Sequence, residues 1–539
     1  VVQPNGTSEE NVVNRGRRFR KLSPNGVRPA AGFLLAAAML AAAAEARADE
    51  TLYDEDGTKV TGAFTGVVGV FGVGNVDFGA GDFNSPTTST VRNTERVWVE
   101  SSVKPSIAAE TPLWSYGTGY SLFSFVAQGT RGSGDAVSSL PQYALRSTTG
   151  NQPTHIDLED AVVGWRSGDT FKDTLGADAL DVSYGNQDFL VGDGLVIGAG
   201  IYNAFGRGAF YTSLATNFER TAIVKLNPDG VPVRANLFKL EDRVDQDLLQ
   251  GFDQSKAKLA GFNAEWFKAG EKKEGDTTTP PDLWTLGVLY FNIYDADSTP
   301  VTFSFSPTST ASSLSQSANR EGLNVFSFRA AGSFLEFDRD ILFYGEYVGE
   351  QNGNANRRVD ADAWYVEPGY KFSDVAWTPQ FAFRYAHFSG ESDPNGRVKH
   401  SYDSLFYTAG PRGYGSWYLG EIYGWYLGTP SNIDVVMASA NVSPLDTLTT
   451  GVIFYDFRFD QTAQFNNPSI TNDHALDEVD LYATWTPQKW LTISSVLGFG
   501  IPGEGFKQAA ASFVATNGPA GRSVGSTIVL GELIATVKF

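Results

Sequence analysis

The chain has 539 residues, 13% of them aromatic, and a formal net charge of −20. It contains no Cys, which excludes disulfides, thiol chemistry and a lipidated cysteine. So acidic a surface disfavours nucleic acid, or an anionic bilayer surface, as a partner.

Residues 1–48 read as a secretory signal peptide. Arg15, Arg17, Arg18, Arg20, Lys21 and Arg28 form a basic region, and an apolar run follows from Ala30 to Ala44. Ala46-Arg47-Ala48 then places small residues two apart, so cleavage is expected before Asp49. The apolar run is too short for a spanning helix. Residues 49–539 carry 34 basic and 58 acidic side chains, a net charge of −24. Nowhere in them do about 18 apolar residues follow one another, as a spanning helix requires. Apolar residues come instead in alternating segments of about ten, the length with which a tilted strand crosses a bilayer.

In chain order, D-L-E-D-A-V-V-G-W-R (157–166) sets Ala161, Val163 and Trp165 against Asp160, Gly164 and Arg166. In D-V-S-Y-G-N-Q (181–187), Asp181, Ser183, Gly185 and Gln187 make the polar face. L-W-T-L-G-V-L-Y-F (283–291) groups Trp284, Leu286, Val288 and Tyr290. F-A-F-R-Y-A-H (381–387) opposes Phe381, Phe383 and Tyr385 to Ala382, Arg384 and Ala386. G-V-I-F-Y-D-F-R-F-D (451–460) opposes Ile453, Tyr455, Phe457 and Phe459 to Asp456, Arg458 and Asp460. The last segment, L-G-E-L-I-A-T-V-K-F, ends at Phe539 as an alternating strand.

A face of large aromatics in strand after strand suits a lipid-facing wall with interfacial girdles. The expected fold is all-β, a transmembrane antiparallel β-barrel. At roughly 27 residues per strand and connection it has about 18 strands, within a range of about 16–20. The last strand must pair with the first, because an open edge cannot face lipid. Short connections at 338–340, 443–447 and 486–490 read as periplasmic turns, and long polar ones at 270–282, 306–321 and 389–402 as solvated outer loops. Glu274, Asp276, Glu391 and Asp393 are then placed to meet lipopolysaccharide through divalent cations. A barrel of this size has a lumen too wide for its own wall side chains to fill.

One region is more specific. R-Y-A-H-F-S-G-E-S-D-P (384–394), Y-D-S-L-F-Y (402–407) and G-S-W-Y-L-G-E-I (415–422) are followed by V-S-P-L-D-T-L (442–448), D-F-R-F-D (456–460) and E-V-D-L-Y-A-T-W (478–485). This order resembles the alginate export porin family of Gram-negative outer membranes. The hairpin at 157–165 with Y-G-N-Q-D-F-L-V-G-D-G (184–194) resembles another element of that family, with Asn186 where many relatives carry Arg. The resemblance implies an 18-stranded monomeric barrel in the outer membrane, exporting an anionic polysaccharide through an Arg-lined lumen. A barrel alone has no energy source, so export would need periplasmic machinery to push the polymer.

Passage of a polyanion needs several weak cationic stations, since one tight site would stop conduction. Arg supplies them because its fork pairs carboxylates and its charge does not titrate away. The lumen candidates are Arg166, Arg329, Arg384 and Arg458, with Asp160, Asp181, Glu346, Asp456 and Asp460 to orient them or oppose cations and Gln187 on the polar face of its strand. Tyr402-Asp403 and Trp417-Tyr418 are placed to stack on sugars at the mouth or to sit in the interface. Gly192-Asp193-Gly194 reads as a turn.

The expected partners are an anionic polysaccharide or small anionic solute, outer-membrane lipid and lipopolysaccharide, and the barrel assembly machinery. No metal or cofactor is expected, since neither Cys clusters nor His ligand spacings occur. Only His155, His387, His400 and His474 are available for acid–base work, and no Ser-His-carboxylate set stands out, so the chain does not read as an enzyme. The rival reading with the same barrel is a substrate-specific uptake porin for small nutrients. An acidic constriction would favour it.

Overall fold

The computed structural model describes residues 50–79, 95–132, 154–198, 200, 209, 211–244, 255–270, 281–296, 320–353, 358–517 and 525–539. The signal-peptide reading, Glu274 and Asp276, and nearly all of the 306–321 loop lie outside these residues.

The sheet closes on itself. Setting aside an N-terminal strand, Glu50–Glu55, and the two-residue Val398–Lys399, eighteen antiparallel strands run from Thr58–Gly74 to Ile528–Lys538. The last pairs with the first from Thr65↔Lys538 to Gly74↔Val529. Phe64 and Phe539 exchange two backbone hydrogen bonds of 2.8 Å, and the Phe539 ring also stacks on Trp490. The expected closure therefore forms, and it leaves no strand edge to lipid. Glu50–Glu55 folds back on Thr58–Gly62 through Asp56-Gly57, both left-handed at φ 53° and 76°. That pair of conformations is what a tight two-residue hairpin needs.

Strand parity assigns each connection to an end. Residues 446–447 and 489–490, between paired strands, share the end that holds the C-terminus. So does the connection 269–283, between Ser255–Lys268 and Trp284–Ala296. Residues 271–280 lie outside the described residues, but the strand ends on either side of them, Lys268 and Trp284, sit with the short turns, against the expectation of an outer loop. The opposite end carries 188–217, 389–432 and 503–527. The last of these holds a helix, Glu504–Asn517, that the strand reading missed. Its Phe506 packs edge-on against Phe78, with ring centroids 4.7 Å apart.

The outward face carries Trp266, Tyr290, Phe328, Tyr347, Phe381, Phe383, Phe454 and Leu533, all exposed. Trp114, Phe337 and Trp377 stand exposed in the turns at the C-terminal end, where an interfacial aromatic girdle belongs. An apolar groove of about 770 Å³ runs over this wall beside Trp266, Leu286, Phe328 and Trp364. It faces lipid and is not a path through the barrel.

The strand Leu448–Phe459 runs against the sequence reading. Ile453, Tyr455, Phe457 and Phe459 are buried and face inward, while Val452 and Phe454 are exposed. The inner aromatics have a partner that alternation cannot show. Tyr423 of the 389–432 connection stacks on Phe457 at 4.6 Å, and Tyr455 Oη donates to the Trp417 carbonyl at 3.0 Å.

Candidate functional site: a lumen filled by two inserted segments

The two long connections enter the barrel and pair with each other. Ile197 bridges Phe406 in parallel, Gly198 N donates to the Phe406 carbonyl at 2.7 Å, and Thr408 N donates to the Gly194 carbonyl at 2.9 Å. Leu195, Val196, Ile197, Tyr402, Leu405, Phe406, Tyr418 and Ile422 are almost wholly buried. These apolar residues fill space that the wall cannot. The 389–402 stretch is accordingly not a solvated loop throughout: Glu391 is buried and accepts the backbone N–H groups of Asp393 and His400. Tyr402, Asp403, Trp417 and Tyr418 do not line a mouth either, since all four are buried inside.

Arg384, on Gln380–Phe388, is 1% exposed and faces inward. Its Nε meets Glu367 Oε2 at 2.7 Å and its Nη1 donates to the Trp417 carbonyl at 2.7 Å. Its guanidinium also lies over the Tyr418 ring at 5.3 Å. A charge taken so far from water needs this complete set of acceptors. The other Glu367 oxygen receives Arg412, which stacks on Tyr344 at 3.8 Å. Burial works against the Arg412 cation, but Glu367 and Asp193 around it raise its pKa further above the usual arginine value.

Arg329 and Glu346 also face inward. Arg329 pairs with Glu265 and lies 3.9 Å from Asp193, while Glu346 accepts from Ser327. Asp193 is held between Arg329 and Arg412 and accepts from Tyr365 Oη at 3.1 Å. The Gly192-Asp193-Gly194 turn exists to deliver it. Both glycines are left-handed, and a Cβ at Gly192 would lie 2.5 Å from Arg329 Nε.

Nearer the C-terminal end, Arg166 meets Glu110 at 2.8 Å and Asp181 at 3.6 Å, and Asp181 accepts from Tyr120 Oη at 2.6 Å. Gln187 bonds Ser183 on the inner face at 2.9 Å.

Arg458 and Asp456 stand elsewhere, and their lumen reading is corrected. They share the outward face of Val452 and Phe454, and Arg458 grips Asp456 at 2.8 Å and reaches Asp473 at 3.7 Å. Their polarity signalled an inner face only because the inner face of this strand is itself aromatic. The same outer rim brings His387, Asp434 and Asp460 together, and likewise Asp456, His474 and Asp477.

Sequence reasoning missed Arg320 and Arg412, which lie outside any alternating strand. Arg320 forks Asp403 at 2.7 and 2.6 Å. Burial pushes the Asp403 carboxyl up, but Arg320 outweighs it and holds the group below the usual carboxylate range. It also missed the acids. Among the described residues, buried side chains include fifteen Asp or Glu against three Arg or Lys, with Arg320, Arg329 and Arg412 partly buried beside them. The arrangement is thus a packed interior in which each inward candidate Arg is already matched by carboxylate.

No curated protein matches the sequence. Among solved structures, Pseudomonas aeruginosa OccK5 (OpdH) aligns with a TM-score of 0.47 at 8% identity, over 89% of this chain and 98% of that one. P. aeruginosa OccD3 (OpdP) aligns with a TM-score of 0.48 at 9% identity, over 92% and 95%. Acinetobacter baumannii OccAB4 gives 0.48 at 9% identity, over 89% and 98%. The profile of the alginate export family matches residues 297–480, which contain the motifs from Arg384 to Asp460. The resemblance read from those motifs holds over that stretch, and the chain is a closed antiparallel β-barrel similar there to the alginate export family.

Proposed function

We propose that the chain is a substrate-specific uptake channel for small neutral or cationic solutes, rather than a conduit for an anionic polysaccharide. The observation that carries this reading is the state of the arginines. Arg166, Arg329 and Arg384 are each paired with carboxylates, and the buried interior around them is acidic. A paired guanidinium positions the wall but offers little net field to a passing anion, and an acidic lining concentrates cations. In this reading residues 1–48 direct secretion and are removed after Ala48. The assembly machinery then inserts the barrel as a monomer, with lipopolysaccharide around its outer rim.

The test is ion selectivity of the purified barrel in planar bilayers, from the reversal potential in a salt gradient. Cation selectivity without block by added polyuronate is expected. Anion selectivity with polyuronate block would overturn the reading in favour of polysaccharide export, the second reading, which the family match at 297–480 supports.

A further inference from the structure

The two inserted segments meet the wall through opposite chemistries, and one contact is unusual. At 421–427 the chain turns so that Ile422 N and Tyr423 N donate to Glu478 at 2.6 and 2.8 Å, and Glu421 N donates to Asp480 at 3.2 Å. Gly420 makes the approach possible at φ 68°, because a side chain there would lie 2.5 Å from Glu478 Oε1. The Glu421 side chain then meets Glu532 of the last strand, carboxyl to carboxyl. Glu421, Glu478, Asp480 and Glu532 are all 5% exposed or less. Glu421 Oε2, Asp480 Oδ1 and both Glu532 oxygens find no donor outside the cluster itself.

Among the described residues, the elements packed against this cluster supply no balancing cation. Glu100 faces it from Glu95–Pro112 and already accepts Tyr211 N at 2.7 Å and Thr212 N at 3.1 Å. Tyr211, Tyr414 and Tyr426 face it from the inserted segments, with hydroxyls pushed well above their usual range by burial first and then by these acids, for Tyr211 after its neighbour Tyr426. They therefore stay neutral. Tyr455 faces it from Leu448–Phe459, and Arg384 beyond it is committed to Glu367. Two buried carboxyl groups in contact cannot both ionise, so a proton must be shared between Glu421 and Glu532. Burial, then Glu532, Asp480 and Glu478, hold Glu421 well above the usual carboxylate range.

We propose that this cluster is a proton-operated latch: while it keeps its proton the 421–427 segment stays docked and the lumen stays closed, and loss of the proton undocks the segment and opens the path. The proposal rests on the channel reading above. A raised carboxyl pKa makes docking strongest below the usual carboxylate range, and docking weakens as pH climbs through the raised value.

The test is conductance of the full barrel in planar bilayers between about pH 5 and about pH 9, where an ordinary carboxylate would not titrate. Wild type should conduct several-fold more at the alkaline end than at the acid end. Glu421→Gln with Glu532→Gln mimics the protonated pair and should stay closed throughout. Conductance that ignores pH or the Gln pair would overturn the latch and leave the channel standing. Absence of conductance from every variant, each verified as a folded barrel by heat-modifiable gel mobility, would overturn both.

Discussion

The interior of this barrel holds its inserted segments in two ways. Around Arg384 and Arg412 the contact is between opposite charges, with Glu367 receiving both guanidinium groups. Around Glu421 it is between like charges, with four carboxyl groups sharing backbone donors and protons. Both contacts are buried against the same wall. A matched ion pair is indifferent to pH in the physiological range, whereas a carboxyl pair depends on it. The difference teaches that burial alone does not make a plug permanent, because the sign of the charges decides whether it can be released.

The largest expected effect sharpens that contrast. Glu367→Gln leaves Arg384 and Arg412 facing one neutral acceptor and should cost about 3–5 kcal/mol, read as a lower urea midpoint in detergent. Glu478→Gln keeps an acceptor for only one of Ile422 N and Tyr423 N, but it also removes a like charge, so it should cost less, about 1–2 kcal/mol. Equal losses for the two would break the comparison.

A second prediction uses pH. Asp403 is held low by Arg320, so its stabilisation is present above the usual carboxylate range and is lost as pH falls through its depressed value, below about pH 4. Glu421 works in the opposite sense and stabilises on acidification. Melting followed downward from neutral pH should therefore rise and then fall. Asp403→Asn should lower stability at neutral pH and remove part of the acid loss.

Gly192→Ala tests the turn that presents Asp193. It forces a left-handed alanine and a contact 2.5 Å from Arg329 Nε, and should cost about 1–2 kcal/mol. The smallest effect belongs to Arg458→Glu. On the outward rim it should shift stability by about 0–1 kcal/mol and leave ion selectivity unchanged. A change of selectivity there would return Arg458 to the lumen.

Much of the wall was legible from alternation. Phe381, Phe383, Leu286 and Val288 face outward and Arg384, Glu346 and Asp181 face inward, because a pleated strand in lipid must turn its apolar side out. The rule failed at Leu448–Phe459, where both faces are apolar. Phe457 is aromatic for the sake of Tyr423, about thirty residues away in sequence, and no local period records such a partner. The candidate site was legible to the same extent. Arginines on strands could be assigned a face, but Arg320 and Arg412 could not, since a connection has no period to assign it.

By itself the sequence determined the barrel: its alternating segments and its paired last strand follow from the need to satisfy every backbone group and expose only apolar side chains to lipid. Only the tertiary structure decided that the outer connections enter the lumen, that the strand arginines are spent on carboxylates, and that Glu421 meets Glu532. Those outcomes depend on contacts between residues far apart in the chain, and their charges acquire meaning only when burial removes the water that would otherwise screen them.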